Sequence, residues 1–133
     1  MKTKSYLTRD DATRILTAAR NEANENGWAV SISVVDDGGH PLALERLDGC
    51  APIGAYVAVE KARTAALGRR ESRQYEEMIN SGRVAFLSAP MITGMLEGGV
   101  PILVSGEVVG AVGVSGVKPD QDSKVAQAGA CAL

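Results

Sequence analysis

A chain of 133 residues, 45% hydrophobic and 23% charged, has the make-up of one soluble globular domain spanning 1–133 around a single core. Its net charge of −2 and its few aromatics (Tyr6, Trp28, Tyr56, Tyr75, Phe86) exclude the basic, stacking surface of a nucleic-acid binder. No apolar run approaches the ~18 residues a membrane span needs. The basic segment Met1–Tyr6 lacks the apolar stretch of a secretory leader, so a cytoplasmic location is expected. Cys50 and Cys131 are too few and too far apart for a zinc site or a disulfide framework, and both are expected as free thiols.

In chain order, Thr8 followed by Arg9-Asp10-Asp11 predicts a helix start, with a hydroxyl cap and acids in the first turn. Ala12, Ile15, Leu16, Ala19 and Ala23 then fall on one helical face, and Asn26-Gly27 supplies a left-handed stop. Val30, Ile32 and Val34 alternate with Ser31 and Ser33 as a strand. Asp36-Asp37-Gly38-Gly39 turns the chain into a partner strand from Pro41 to Arg46. Pro52 opens a second helix in which Ala55, Ala58, Val59, Ala62, Ala65 and Ala66 line one face, with Gly68 as the expected stop. Ser72–Asn80 reads as a third, short helix and Val84–Leu87 as a brief strand. Pro90–Gly99 reads as a loop with a helical turn at Met91–Leu96. Pro101–Val104 and Val108–Val114 form a hairpin about Ser105-Gly106-Glu107, and a last helix runs from Pro119 to about Ala132. Gly110 and Gly113 inside the last strand signal close approach by another backbone or a ligand. Hairpin connections make the sheet mostly antiparallel, which defines an α+β fold.

Five segments carry a family likeness: Ser33–His40, Arg46-Leu47-Asp48-Gly49, Lys61-Ala62-Arg63-Thr64-Ala65, Gly98-Gly99-Val100-Pro101 and Gly110–Gly116. In order and spacing, from Thr8 to Leu133, they resemble the GlcG/HbpS-like family. The resemblance implies a profilin-like fold, a five-stranded antiparallel sheet flanked by helices, assembled into homo-oligomers. It implies haem or a related tetrapyrrole as ligand. It also implies two alternatives. One is lyase-type acid/base chemistry on a small carboxylated, aromatic hydroxylamine-like substrate, and the other is an accessory role in a catabolic operon. The chain departs from common family wording at Glu97, which makes the neighbourhood of Gly98 more polar, and at Cys50.

Within those segments the candidate residues each have a sharp and an ordinary reading. His40 is the only imidazole, so axial ligation of haem iron by histidine falls to it; a solvated turn histidine is the ordinary outcome. Lys61, among Ala58, Ala62 and Ala65, is either a desolvated amine that pairs with a substrate carboxylate or an outward lysine beside Glu60. Asp36 is either an acid/base group opposite Lys61 or part of a carboxylate–arginine pair that fixes the hairpin. Glu97 is a candidate general base, beside Gly98 and Gly99 whose bared N–H groups suit an anion, though a Gly-Gly pair is ordinarily a turn. Arg46, Arg63 and Ser115 complete the expected ligand-binding set with Gly98 and Gly99.

Overall fold

Thr8 caps the first helix by accepting from the backbone N–H of Asp11, whose carboxylate reaches back to the Thr8 N–H. This reciprocal box satisfies two of the donors a helix start leaves unpaired. The computed structural model describes Met1–Leu133. Helix α1 spans Arg9–Asn26 and ends at Gly27, which is left-handed at φ 69°. Strands β1 (Ser31–Asp36) and β2 (Pro41–Arg46) form the first hairpin. Helix α2 (Pro52–Gly68), helix α3 (Ser72–Asn80) and a 3-10 turn at Val84–Ser88 follow. Strands β3 (Gly99–Val104) and β4 (Glu107–Ser115) precede helix α4 (Pro119–Ala130).

The four strands form one antiparallel sheet in the order β2-β1-β4-β3. Alternation along β1 divides the protein into layers. Ile32 and Val34 face the main core, built with Ile15, Ala19 and Ala23 of α1, Val112 and Val114 of β4, and Val125 and Ala126 of α4. Val35 faces the other way and packs with Ala62, Ala65, Ala66 and Ala111. Helices α1 and α4 thus cover one sheet face and α2 the other.

Small residues set the distance between α2 and the sheet. A Cβ on Gly113 would collide with the carbonyl of Ala58 and the backbone N–H of Ala62, so β4 and α2 meet backbone to backbone. The glycine in the strand marks close approach by a helix.

Four expectations change. The sheet has four strands, because Val84–Leu87 belongs to the 3-10 turn. Phe86 packs edge-to-face on Tyr75 with ring centroids 5.5 Å apart, which holds this apolar run on α3 and away from the sheet. Helix α2 ends at Gly68 as expected, where any Cβ would overlap the Tyr75 phenol, but its left-handed cap is the non-glycine Arg69 at φ 57°. Met91–Leu96 forms no helix, and α4 stops at Ala130.

The backbone contact at Gly113 predicts a cost with little scope for relaxation. Gly113→Ala should lower unfolding free energy in urea by about 2 kcal/mol, the range of overpacking against unyielding atoms. A neutral result would mean that α2 can lift from β4.

Candidate ligand site

Lys61 leaves α2 between Ala58 and Ala65, on the face that meets the sheet, and is 4% exposed. Its Nζ donates to the Val114 carbonyl at 2.9 Å and to Oδ2 of Asp122 at 3.1 Å. The other oxygen of Asp122 accepts from the Val117 N–H at 3.1 Å. Burial pushes the Asp122 carboxyl above the usual carboxylate range, against the opposing pull of Lys61.

Gly98 and Gly99 do lie beside Lys61, but they fill the space around it. Gly98, at φ 131°, has room for no Cβ: one would sit 2.6 Å from the Val114 carbonyl oxygen and 2.9 Å from Lys61 Nζ. Its carbonyl accepts from the Val114 N–H at 3.0 Å. The Gly99 N–H donates to Ser72 Oγ at 2.8 Å, so it is not bared to an anion. Lys61 is therefore sealed between α2, β4 and α4, and no substrate reaches its amine unless these elements part.

The other acid/base candidates stand elsewhere. Asp36 pairs with Gly110 in register, whereas Lys61 reaches Val114. Four residues of strand separate them, about 13 Å at ~3.3 Å per residue. The Asp36 carboxylate accepts from the N–H groups of Gly38 and His40, each at 2.9 Å, and lies 3.1 Å from Nδ1 of His40. That imidazole is 78% exposed at the tip of the β1–β2 hairpin. Glu97 is half-buried, with its N–H directed to Glu76 Oε1 at 3.4 Å. Burial raises its carboxyl, with Arg73 opposing and the acids Glu76, Asp120 and Glu71 adding to the rise. The three expected catalytic groups share no pocket.

The geometry opens a different cavity, of about 610 Å³, between β2 and α2. Leu44 and Arg46 form one wall, and Pro52, Ala55, Tyr56, Val59 and Glu60 the other. Arg46 donates through Nε to the Cys50 carbonyl at 2.9 Å. Cys50 is buried, its sulfur 3.3 Å from Ser31 Oγ and 3.7 Å from the Ser115 carbonyl. Glu60 accepts from Arg63 on one oxygen and from Thr93 Oγ1 at 2.7 Å on the other. Ser33, opposite Leu44 and so on the same sheet face, keeps a buried hydroxyl without a hydrogen-bond partner. Arg46, Arg63 and Ser115 thus converge on this cleft or the groups that support it, while Gly98 and Gly99 belong to the Lys61 cluster.

The sequence does not single out Leu44, Tyr56 or the role of Asp122, and it assigns Ala55 and Val59 to the small-residue face of α2 where the structure has them lining the cleft. A signal existed for Tyr56: α2 is apolar beyond its small-residue face, at Ile53, Tyr56 and Val57. A helix apolar on more than one face has a second surface to cover.

The chain is an α+β protein, an antiparallel sheet covered on both faces by helices, with a mostly apolar cleft under one edge strand. The family model described as haem degrading protein HbpS-like matches residues 7–131, and the chain belongs to this HbpS-like family. It is 61% identical to protein GlcG of Escherichia coli K12 over 115 residues, 86% of this chain and 85% of GlcG. The fold is similar to a double mutant of Streptomyces reticuli HbpS, with TM-score 0.90 and 30% identity, covering 100% of this chain and 90% of that one. A PduOC:heme complex matches the fold with TM-score 0.88 and 22% identity, over 97% and 96% of the two chains.

Two predictions follow from the buried charges. Lys61→Met leaves Asp122 buried without its cation and should cost about 3–5 kcal/mol in urea unfolding, whereas Lys61→Met with Asp122→Leu should cost clearly less. Equal costs would show that the pair is not the source of the loss. For Glu97, the raised native carboxyl binds its proton more tightly than the unfolded chain does. The native state therefore holds the extra proton from the ordinary glutamate range up to the raised value, and stability falls as pH rises through that window. Thermal melts of Glu97→Gln should gain on those of the parent as pH rises through and above the ordinary glutamate range, and a constant difference would refute the buried-carboxyl account.

Proposed function

We propose that the chain is a homo-oligomeric, cytoplasmic ligand-binding protein whose ligand is haem or a related tetrapyrrole, held in the cleft between β2 and α2. The observation that carries this reading is the cleft itself. At about 610 Å³ it falls within the ~300–1,000 Å³ of small-molecule sites, and its walls are mostly apolar around one arginine. Membership of a family described as haem degrading supports the same ligand class. The donor set fits a macrocycle in part: Leu44, Tyr56 and Val59 offer apolar walls, and Arg46 suits a propionate. His40, at the exposed hairpin tip, lies outside the cleft of its own chain. In this reading it supplies the iron ligand to haem held by a neighbouring copy. Bound haem would contribute an iron centre whose axial ligand and surroundings tune its reactivity. The chain's own residues exclude water from one face, hold the carboxylates and set the orientation.

Acid/base lyase chemistry through Lys61, Asp36 and Glu97 draws less support, since Lys61 is committed to Asp122 and Val114. The test is a haemin titration of tag-free protein followed at the Soret band, with His40→Ala and Tyr56→Ala alongside. Saturable binding near one haem per subunit or subunit pair is expected. Tyr56→Ala should weaken it several-fold, and His40→Ala should change the Soret position. Weak, unsaturable binding indifferent to both substitutions would remove haem from consideration.

A further inference from the structure

We propose that Arg46 is a carboxylate anchor, and that the cleft between β2 and α2 selects largely apolar molecules carrying a carboxylate at one end. This rests on the cleft being the ligand site and names the chemistry that site recognises.

Three observations carry it. The first is the state of the guanidinium. Its Nε is taken by the Cys50 carbonyl at 2.9 Å, while Arg46 takes part in none of the ion pairs of the structure. Both terminal nitrogens are left free to grip one carboxylate by two parallel bonds. The second is that the fork is held in place. Cys50 is 3% exposed and wedged against Ser31, and Ser31 is the register partner of Arg46 across the β1–β2 pair. The carbonyl that orients the guanidinium is thus a fixed post, so little ordering is left to pay at binding. The third is charge. Glu60, the only acid lining the cleft, has both oxygens occupied, one by Arg63 and one by Thr93. Glu60 is thus committed elsewhere and does not neutralise Arg46, which remains the unpaired charge in a cleft whose apolar walls include the ring of Tyr56.

A lysine at this position would not substitute. Its point charge cannot hold the Cys50 carbonyl and a bidentate carboxylate together.

The experiment changes the ligand first, so that it does not depend on how a variant folds. Haemin and haemin dimethyl ester are titrated at the Soret band, and 2-naphthoate and 2-naphthamide by fluorescence. Each probe is run against the parent protein, Arg46→Lys and Arg46→Met. The parent should bind each free carboxylate about tenfold or more tightly than its neutral counterpart. Arg46→Met should erase that preference while keeping affinity for the neutral probes, and Arg46→Lys should restore little of it. Equal binding of haemin and its ester by the parent overturns the anchor and leaves the tetrapyrrole reading standing. Haemin that does not bind, with naphthoate preferred in an Arg46-dependent way, overturns the tetrapyrrole reading and supports the anchor for a smaller aromatic acid. No preference in either pair overturns the anchor outright.

Discussion

The contact on which the rest depends is the backbone-to-backbone approach of α2 to β4 at Gly113. With the Ala58 carbonyl and the Ala62 N–H lying where a side chain would start, helix and sheet are closer than ordinary core side chains permit. Everything α2 carries on that face must then be small, as Ala58, Ala62, Ala65 and Ala66 are, or must thread out sideways. Lys61 threads out. Its stem passes Gly98, and its amine emerges at the end of β4, where the Val114 carbonyl and Asp122 receive it.

Burying two charges there is a weak source of net stability. Each ion loses several kcal/mol of hydration, and the mutual attraction returns at best a similar amount. Burial keeps the Asp122 carboxyl raised even with an ammonium 3.1 Å away, which says that desolvation outweighs the partner. The pair has geometric value instead. Lys61 comes from the helix on one sheet face and Asp122 from the first turn of α4 on the other, so their contact ties the two outer layers together around the end of β4. The exposed pairs, Lys4–Asp37 and Arg14–Asp11 among them, are held in water and fix local turns and helix ends.

What could be read from the sequence divides along the range of the interactions involved. The α1 cap, the alternation of β1, both hairpins and the alanine face of α2 are local patterns, and each took the form its pattern implies. Val84–Leu87 failed because a four-residue apolar run suits a strand or a turn equally, and the Tyr75 ring decided between them. Gly68 ends α2 as its stop signal implies, but the left-handed cap is Arg69, and the space Gly68 clears for the Tyr75 ring is a tertiary effect with no local trace. The Lys61–Asp122 pair is 61 residues apart in the chain and leaves no periodic trace, so Asp122 was legible only as a first-turn acid. The cleft is half-legible: Arg46 stands out by its charge and Val59 by its place on the small-residue face of α2, whereas Tyr56 lies off that face and carries no periodic signal.

The same close packing explains why an apolar cleft exists at the β2 edge. Helix α2 packs mainly on β4 and β1 and much less on the rim strand β2, which leaves Leu44 and Tyr56 exposed along the cleft. Solvent-exposed apolar walls lower the local dielectric, and this bears on the single guanidinium placed between them. Two unit charges at 4 Å interact by roughly 1 kcal/mol in bulk water and roughly 4 kcal/mol at the effective dielectric near a protein surface. The proposed carboxylate anchor would draw on that stronger interaction, because it holds the ion pair against protein instead of in bulk water. Apolar area gives affinity without direction, and one fixed charge gives direction with modest affinity. Set side by side, they let a shallow cleft choose which way round its ligand lies.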